Sequence, residues 1–118
     1  MDEIDGHDVE KLRGQLLRQR DELRREGKMA AESRRPVELD QTRVGRLTRM
    51  DALQGQAMSI EAERRRQVEM RRIEAALVRI DDGEYGDCVR CGESIEEGRL
   101  KADPATPLCL ACARLPSA

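Results

Sequence analysis

All four cysteines of this chain fall in one stretch, Cys88-Val-Arg-Cys91 and Cys109-Leu-Ala-Cys112, as two pairs with two residues inside each pair. The segment between the pairs, Gly92 to Leu108, is 17 residues long. Two thiols three positions apart can reach one ion from a tight turn, and a second such pair completes a tetrahedron. The spacing therefore reads as a four-thiolate zinc site with Cys88, Cys91, Cys109 and Cys112 as ligands. Each thiol must ionise to bind, and in so small a segment the metal supplies much of the folding free energy. Four protein ligands leave no open position for water, so one structural zinc is expected and no catalytic one. Gly92, directly after Cys91, lets the backbone curl so that amides can point at sulfur. Arg90 either moderates the negative charge of four thiolates or is simply solvated. A redox-active thiol pair is the competing reading, but it leaves two matched pairs unexplained.

The remainder of the chain must position this module. Charged residues make up 39% of the 118 residues and the hydrophobic set 38%, and Tyr85 is the only aromatic residue. A compact globule of this size would bury several aromatic side chains, so a sizeable core is not expected. The net charge of −2 gives no global drive toward nucleic acid. No apolar run approaches the ~20 residues needed to span a bilayer, so no membrane contact is expected. The acidic start, Met1 to Asp8, lacks the apolar region of a secretory signal. A cytoplasmic location follows, and in a reducing cytoplasm metal ligation is favoured over disulfides.

Residues 1–7 read as a disordered terminus. From 8 to 80 the pattern is that of a helical hairpin, and 81–118 form the cysteine module. Asp8 can cap the first helix, about 8–33, whose Val9, Leu12, Leu16, Leu23 and Ala30 share one face. So narrow a stripe suits a two-helix seam. Pro36 ends this helix region, because the residue before a proline is pushed away from α. The tip covers about 34–41, and Asp40 is a good cap for a second helix over about 41–80. Val44, Leu47, Met50, Leu53, Ala57, Ile60, Val68, Ile73, Leu77 and Ile80 read as one long stripe along it. Neither helix can be stable alone with so few core residues, and the short link makes them antiparallel neighbours. The first, shorter helix can cover only part of the second, which leaves Ile73 to Ile80 to pack on the cysteine module. Gly83 is a left-handed helix stop. The fold class is thus mainly α: a long antiparallel two-helix coiled coil followed by a small C-terminal four-cysteine zinc finger.

From Gly83 to Cys112 the chain closely resembles the zinc finger of the DksA/TraR family of bacterial transcription regulators. The matching features are Gly83, Tyr85-Gly86, the Cys-Gly step after the first pair, Ile95, Arg99-Leu100, Ala102, Pro104 and the second pair. The hairpin matches the family's coiled coil in architecture. The resemblance implies a non-enzymatic regulator that binds RNA polymerase directly, without a DNA site. It implies a coiled coil that enters the polymerase secondary channel and acts through acidic residues at its tip.

The tip itself is different. Long members of the family carry Asp-x-x-Asp-x-Ala there, and continue past the finger with a helix. Here Asp40 is followed three positions on by Arg43, and Arg34, Arg35, Arg46 and Arg49 make this end basic. Asp51-Ala52 lies within a helical pattern. Asp40, Arg43, Arg46, Arg49 and Asp51 are the candidate partner-binding residues. They leave open a second reading, in which a zinc-stabilised adaptor meets nucleic acid or an acidic protein through its arginine-rich tip. A monomer is expected, with enough exposed seam to support a dimer.

Overall fold

The computed structural model of the chain describes residues 6–33 and 46–116, with the side chains of 46–49 outside the description. Four helices follow one another: α1, Gly6–Ser33; α2, Arg46–Asp81; α3, Glu97–Ala102; and α4, Leu110–Ala113. The described residues contain no strand, only an isolated antiparallel bridge between Asp87 and Ser94. At 1.5 Å per residue, α2 is a rod of about 54 Å.

α1 begins two residues earlier than expected. Gly6 and His7, read from sequence as disordered, form its first turn, and Asp8 lies inside that turn rather than capping it. An acid there still complements the helix dipole. The expected tip, including Asp40 and Arg43, lies outside the described residues.

α1 and α2 run antiparallel. Leu16 packs with Ile73 and Ala76, and Leu23, Leu77 and Ile80 close around them. Further along, a Cβ at Gly27 would stand 3.9 Å from Arg66 Nε. Near the finger, the Arg13 guanidinium donates to Asp81 Oδ1 at 2.6 Å and ties the start of α1 to the end of α2. Burying Leu16 and Ile73 to 0% exposure contributes about 1.5–3 kcal/mol each.

The single long stripe expected on α2 breaks into two. Ile73 and Ala76 are buried against α1, but Met50, Leu53 and Ile60 stay 68%, 66% and 61% exposed. At about 100° per residue, Leu53 and Ile60 lie roughly 140–160° around the helix from Ile73. Val68, 37% exposed, keeps phase with them, so the apolar face shifts at the five-residue step from Val68 to Ile73.

The end of α2 is held by a Schellman stop. Glu84 N–H donates to Arg79 O at 2.8 Å and Gly83 N–H to Ile80 O at 3.2 Å, with Gly83 at φ 73°. This fits the sequence reading of Gly83, because only glycine adopts that φ without strain. The chain then turns directly into the cysteine module.

Candidate metal centre

The first cysteine pair sits in a tight turn closed by backbone bonds. Cys88 N–H donates to Glu93 O at 2.8 Å, Gly92 N–H to Cys88 O at 2.9 Å, and Ile95 N–H to Gly86 O at 2.7 Å. Gly86 and Gly92 hold φ values of 98° and 79°, which the turn requires. The second pair opens α4: Cys109 stands at its N-cap, and Ala113 N–H donates to Cys109 O at 2.9 Å. Val89 N–H donates to Pro107 O at 2.9 Å and ties the two halves together.

These turns bring the four thiols to one point. The Sγ atoms of Cys88, Cys91, Cys109 and Cys112 all lie within 4.8 Å of one another, and none is in a disulfide. The Cys91 and Cys109 sulfurs are 3.7 Å apart. With zinc–sulfur bonds of 2.3 Å, the edge of a tetrahedron measures about 3.8 Å. A disulfide would need about 2.05 Å. Cys88, Cys109 and Cys112 are buried and Cys91 is exposed.

The surroundings of the thiols differ. Burial alone would push Cys88 up, but the backbone amides of Cys109, Cys91 and Arg90 and the Cys112 thiol outweigh it and bring it down to about 6. Burial, followed by the neighbouring thiols of Cys109, Cys91 and Cys88, pushes Cys112 up to about 12. A cation held between the sulfurs would offset the repulsion between neighbouring thiolates. This donor set, soft sulfur at tetrahedral spacing, fits a single structural zinc. Arg90 is exposed, and its N–H rather than its guanidinium serves the sulfur.

A small core supports the cluster. Ile95 and Leu100 pack with Cys88, Cys109 and Cys112, and Leu12 of α1 completes the group. In return Ala105, from the segment after α3, enters the helix core with Leu16, Ile73 and Ala76. Tyr85 touches both cores, and its hydroxyl donates to Pro104 O at 2.8 Å. Arg99 Nε donates to Leu108 O at 2.9 Å, and Glu96 accepts from Leu110 N–H at 3.1 Å. α3 was not foreseen: its six residues carry no apolar repeat to read, and only Leu100 is buried. Arg72 holds Glu69 at 2.7 Å on its own helix and also reaches Asp103 at 2.7 Å. The Arg72–Asp103 pair spans 31 residues, so no local pattern announces it.

Of the candidate partner-binding residues, Arg46 and Arg49 belong to the first turns of α2 and Asp51 is exposed one step further on. All are at the end of α2 opposite the finger. No helix among the described residues is long and apolar enough to cross a membrane.

Residues 83–115 match the family model of the prokaryotic DksA/TraR C4-type zinc finger. An uncharacterised protein of Aquifex aeolicus is 35% identical over 86 residues, covering 73% of this chain and 54% of that protein. The RNA polymerase-binding transcription factor DksA of Haemophilus influenzae is 44% identical over 46 residues, covering 39% of this chain and 32% of that protein. This chain therefore spans about half the length of the first relative and a third of the second. The structure of transcription factor DksA2 from Pseudomonas aeruginosa superposes with a TM-score of 0.75 at 25% identity, over 92% of this chain and 82% of that one. The finger is recognised by sequence and the hairpin with its finger by shape, and on both grounds the chain belongs to the DksA/TraR zinc-finger proteins as a DksA-like member.

Proposed function

We propose that this chain is a non-enzymatic, DksA-type regulator of bacterial transcription that binds RNA polymerase through its helical hairpin, with the hairpin directed into the secondary channel. The observation that carries this reading is the joint between finger and hairpin. Leu12 and Ala105 each insert into the other module's core, so the finger is built to fix the base of a long projecting arm. A projecting arm suits a partner with a deep opening better than it suits a duplex groove, and the Haemophilus relative is named for polymerase binding.

In this reading Cys88, Cys91, Cys109 and Cys112 hold one zinc, which supplies a cross-link and no reaction step. With all four positions filled by protein, the metal ties the turn after α2 to the start of α4. Residues 6–81 act as the arm and 82–116 as its anchor. The tip residues Asp40, Arg43, Arg46, Arg49 and Asp51 face the polymerase, and the mixture of two acids with three arginines sets the effect on promoter complexes.

Transcription in vitro with purified polymerase tests the proposal. Wild type is expected to change the yield at responsive promoters, and an Asp40→Asn/Arg43→Ala variant to bind polymerase while losing that effect. Unchanged transcription on addition of wild type would count against it.

A further inference from the structure

Along α2, Met50, Leu53, Ala57 and Ile60 follow one another at spacings of three, four and three, and Arg64 comes four further on. From Arg64 the same steps run in reverse: four to Val68, three to Arg71, four to Ala75 and three to Val78. All nine residues are exposed. At about 100° per residue they fall in a strip roughly 80° wide whose centre lies opposite Ile73. α2 thus has a second face, turned away from α1, with the three-four repeat by which one helix packs along another. Neither core cluster includes any residue of this row.

The symmetry of the steps selects the occupant. In a two-fold pair, where one residue meets a second, the second also meets the first. A row that reads alike in both directions from its centre meets that condition for antiparallel helices, and a different protein would impose no such condition. With Arg64 on the axis, Met50 meets Val78 of the second copy, Leu53 meets Ala75, Ala57 meets Arg71 and Ile60 meets Val68. At two of these four contacts a large side chain faces alanine, as interdigitating layers require. A parallel pair instead stacks Leu53 on Leu53 and Ala57 on Ala57, and sets Arg71 against Arg71. Charge permits the antiparallel pair. On each copy Glu61 holds Arg64 at 3.0 and 2.7 Å, so two ion pairs rather than two bare cations meet at the axis. The Arg71 stem can lie over Ala57 of the other copy, and its tilt toward the helix N-terminus carries the head toward that copy's Glu61. The contact runs about 42 Å. It would cover roughly 600–800 Å² of each copy, at the lower end of the ~800 Å² per partner found in stable complexes.

We infer that two copies of this chain pair antiparallel through the outer row of α2, centred on Arg64. The distal end of each arm then lies beside the base of the other, and neither arm projects. The pair is the resting form, and dilution releases the single chain with its arm free.

Sedimentation equilibrium of the zinc-loaded full chain across about 1–500 μM provides the test. A reversible dimer is expected. Leu53→Gln/Ile60→Gln and Ala57→Arg should each raise its dissociation constant at least about tenfold. Helix content and bound zinc should not change, because glutamine and arginine keep high helix propensity. Ala57→Arg sets like charges together across the axis, and adding Arg71→Glu makes them opposite. Ala57→Arg/Arg71→Glu should therefore return to within about threefold of wild type. Met58 is as exposed as Leu53 but lies roughly 120° around the helix from the row, and Met58→Gln should stay within about twofold. A wild type that remains monomeric throughout overturns the inference. So does a dimer indifferent to Leu53→Gln/Ile60→Gln, an equal loss in Met58→Gln, or a double variant no tighter than Ala57→Arg. Polymerase is absent from every arm of this test, so its outcome is separate from the polymerase-binding reading.

Discussion

Arg72 and Asp103 join the arm to its anchor: the guanidinium of one donates to the carboxylate of the other at 2.7 Å, across the boundary between α2 and the finger. The second arm of Arg72 is fixed by Glu69, one turn back on the same helix. Burial opposes the charge on Arg72, and the two carboxylates outweigh it and raise its pKa. Because both side chains are a third or more exposed, the pair contributes about 1 kcal/mol or less. Arg72→Ala and Asp103→Ala should each destabilise the zinc-loaded chain by about that much, and the double variant by less than the sum. Urea unfolding of the four proteins measures the coupling; strict additivity would show that the contact does not hold the joint.

Leu12 matters more. It lies at 5% exposure on a helix remote in sequence, yet completes the core around the cysteines. Leu12→Ala should cost about 2–4 kcal/mol and weaken zinc retention against a chelator. Met50→Ala, at 68% exposure, should leave stability within about 0.5 kcal/mol. Equal effects at the two positions would contradict the division of α2 into a packed base and an exposed outer row.

Metal removal should be felt beyond the finger. Chelation, or Cys88→Ser, is expected to unfold residues 83–115 and to loosen the first turns of α1, because Leu12 loses its surroundings. The Leu16–Ile73 contact further along should survive in part. Amide exchange read by mass spectrometry distinguishes this from independent modules: fast exchange near Leu12 is expected, and unchanged exchange throughout α1 would contradict it.

Tyr85, the single tyrosine, gives a clean alkaline probe. Burial first, offset in part by Arg79 and reinforced by Asp103, pushes its hydroxyl up to about 12. In the unfolded chain it ionises near 10. The neutral form is favoured by the fold, so stability is intact below pH 10 and lost as pH rises from about 10 to about 12. With Tyr85 only half buried, that loss is about 1–2 kcal/mol. Tyrosinate absorbance in wild type, with Tyr85→Phe as the comparison for stability, checks the window. Ionisation at an ordinary pH would contradict the Tyr85–Pro104 contact.

Much of this molecule is readable before folding because its signals are local. Cys-x-x-Cys pairs announce a metal site by spacing alone, Gly83 announces a helix stop by its conformational freedom, and Leu12 with Leu16 announces a helix face by period. What escaped depends on distance in sequence or on phase. Arg72 meets Asp103, and Leu12 meets Cys88, only once the hairpin has closed. α3 buries a single leucine and so has no period to detect. The long stripe on α2 failed for a different reason: the five-residue step from Val68 to Ile73 shifts the apolar face around the helix, and a list of apolar positions hides a change of phase. The distal half was therefore misread as seam when it is outer surface.

Entry of the arm into polymerase is the proposed step. Its most direct measurement is retention of the zinc-loaded chain on immobilised core RNA polymerase, challenged with a second protein that occupies the secondary channel. Binding at micromolar concentration that the competitor displaces is expected. No binding, or binding indifferent to the competitor, would contradict it; binding to duplex or RNA that instead weakens steeply with salt would favour the arginine-rich tip as a nucleic-acid contact.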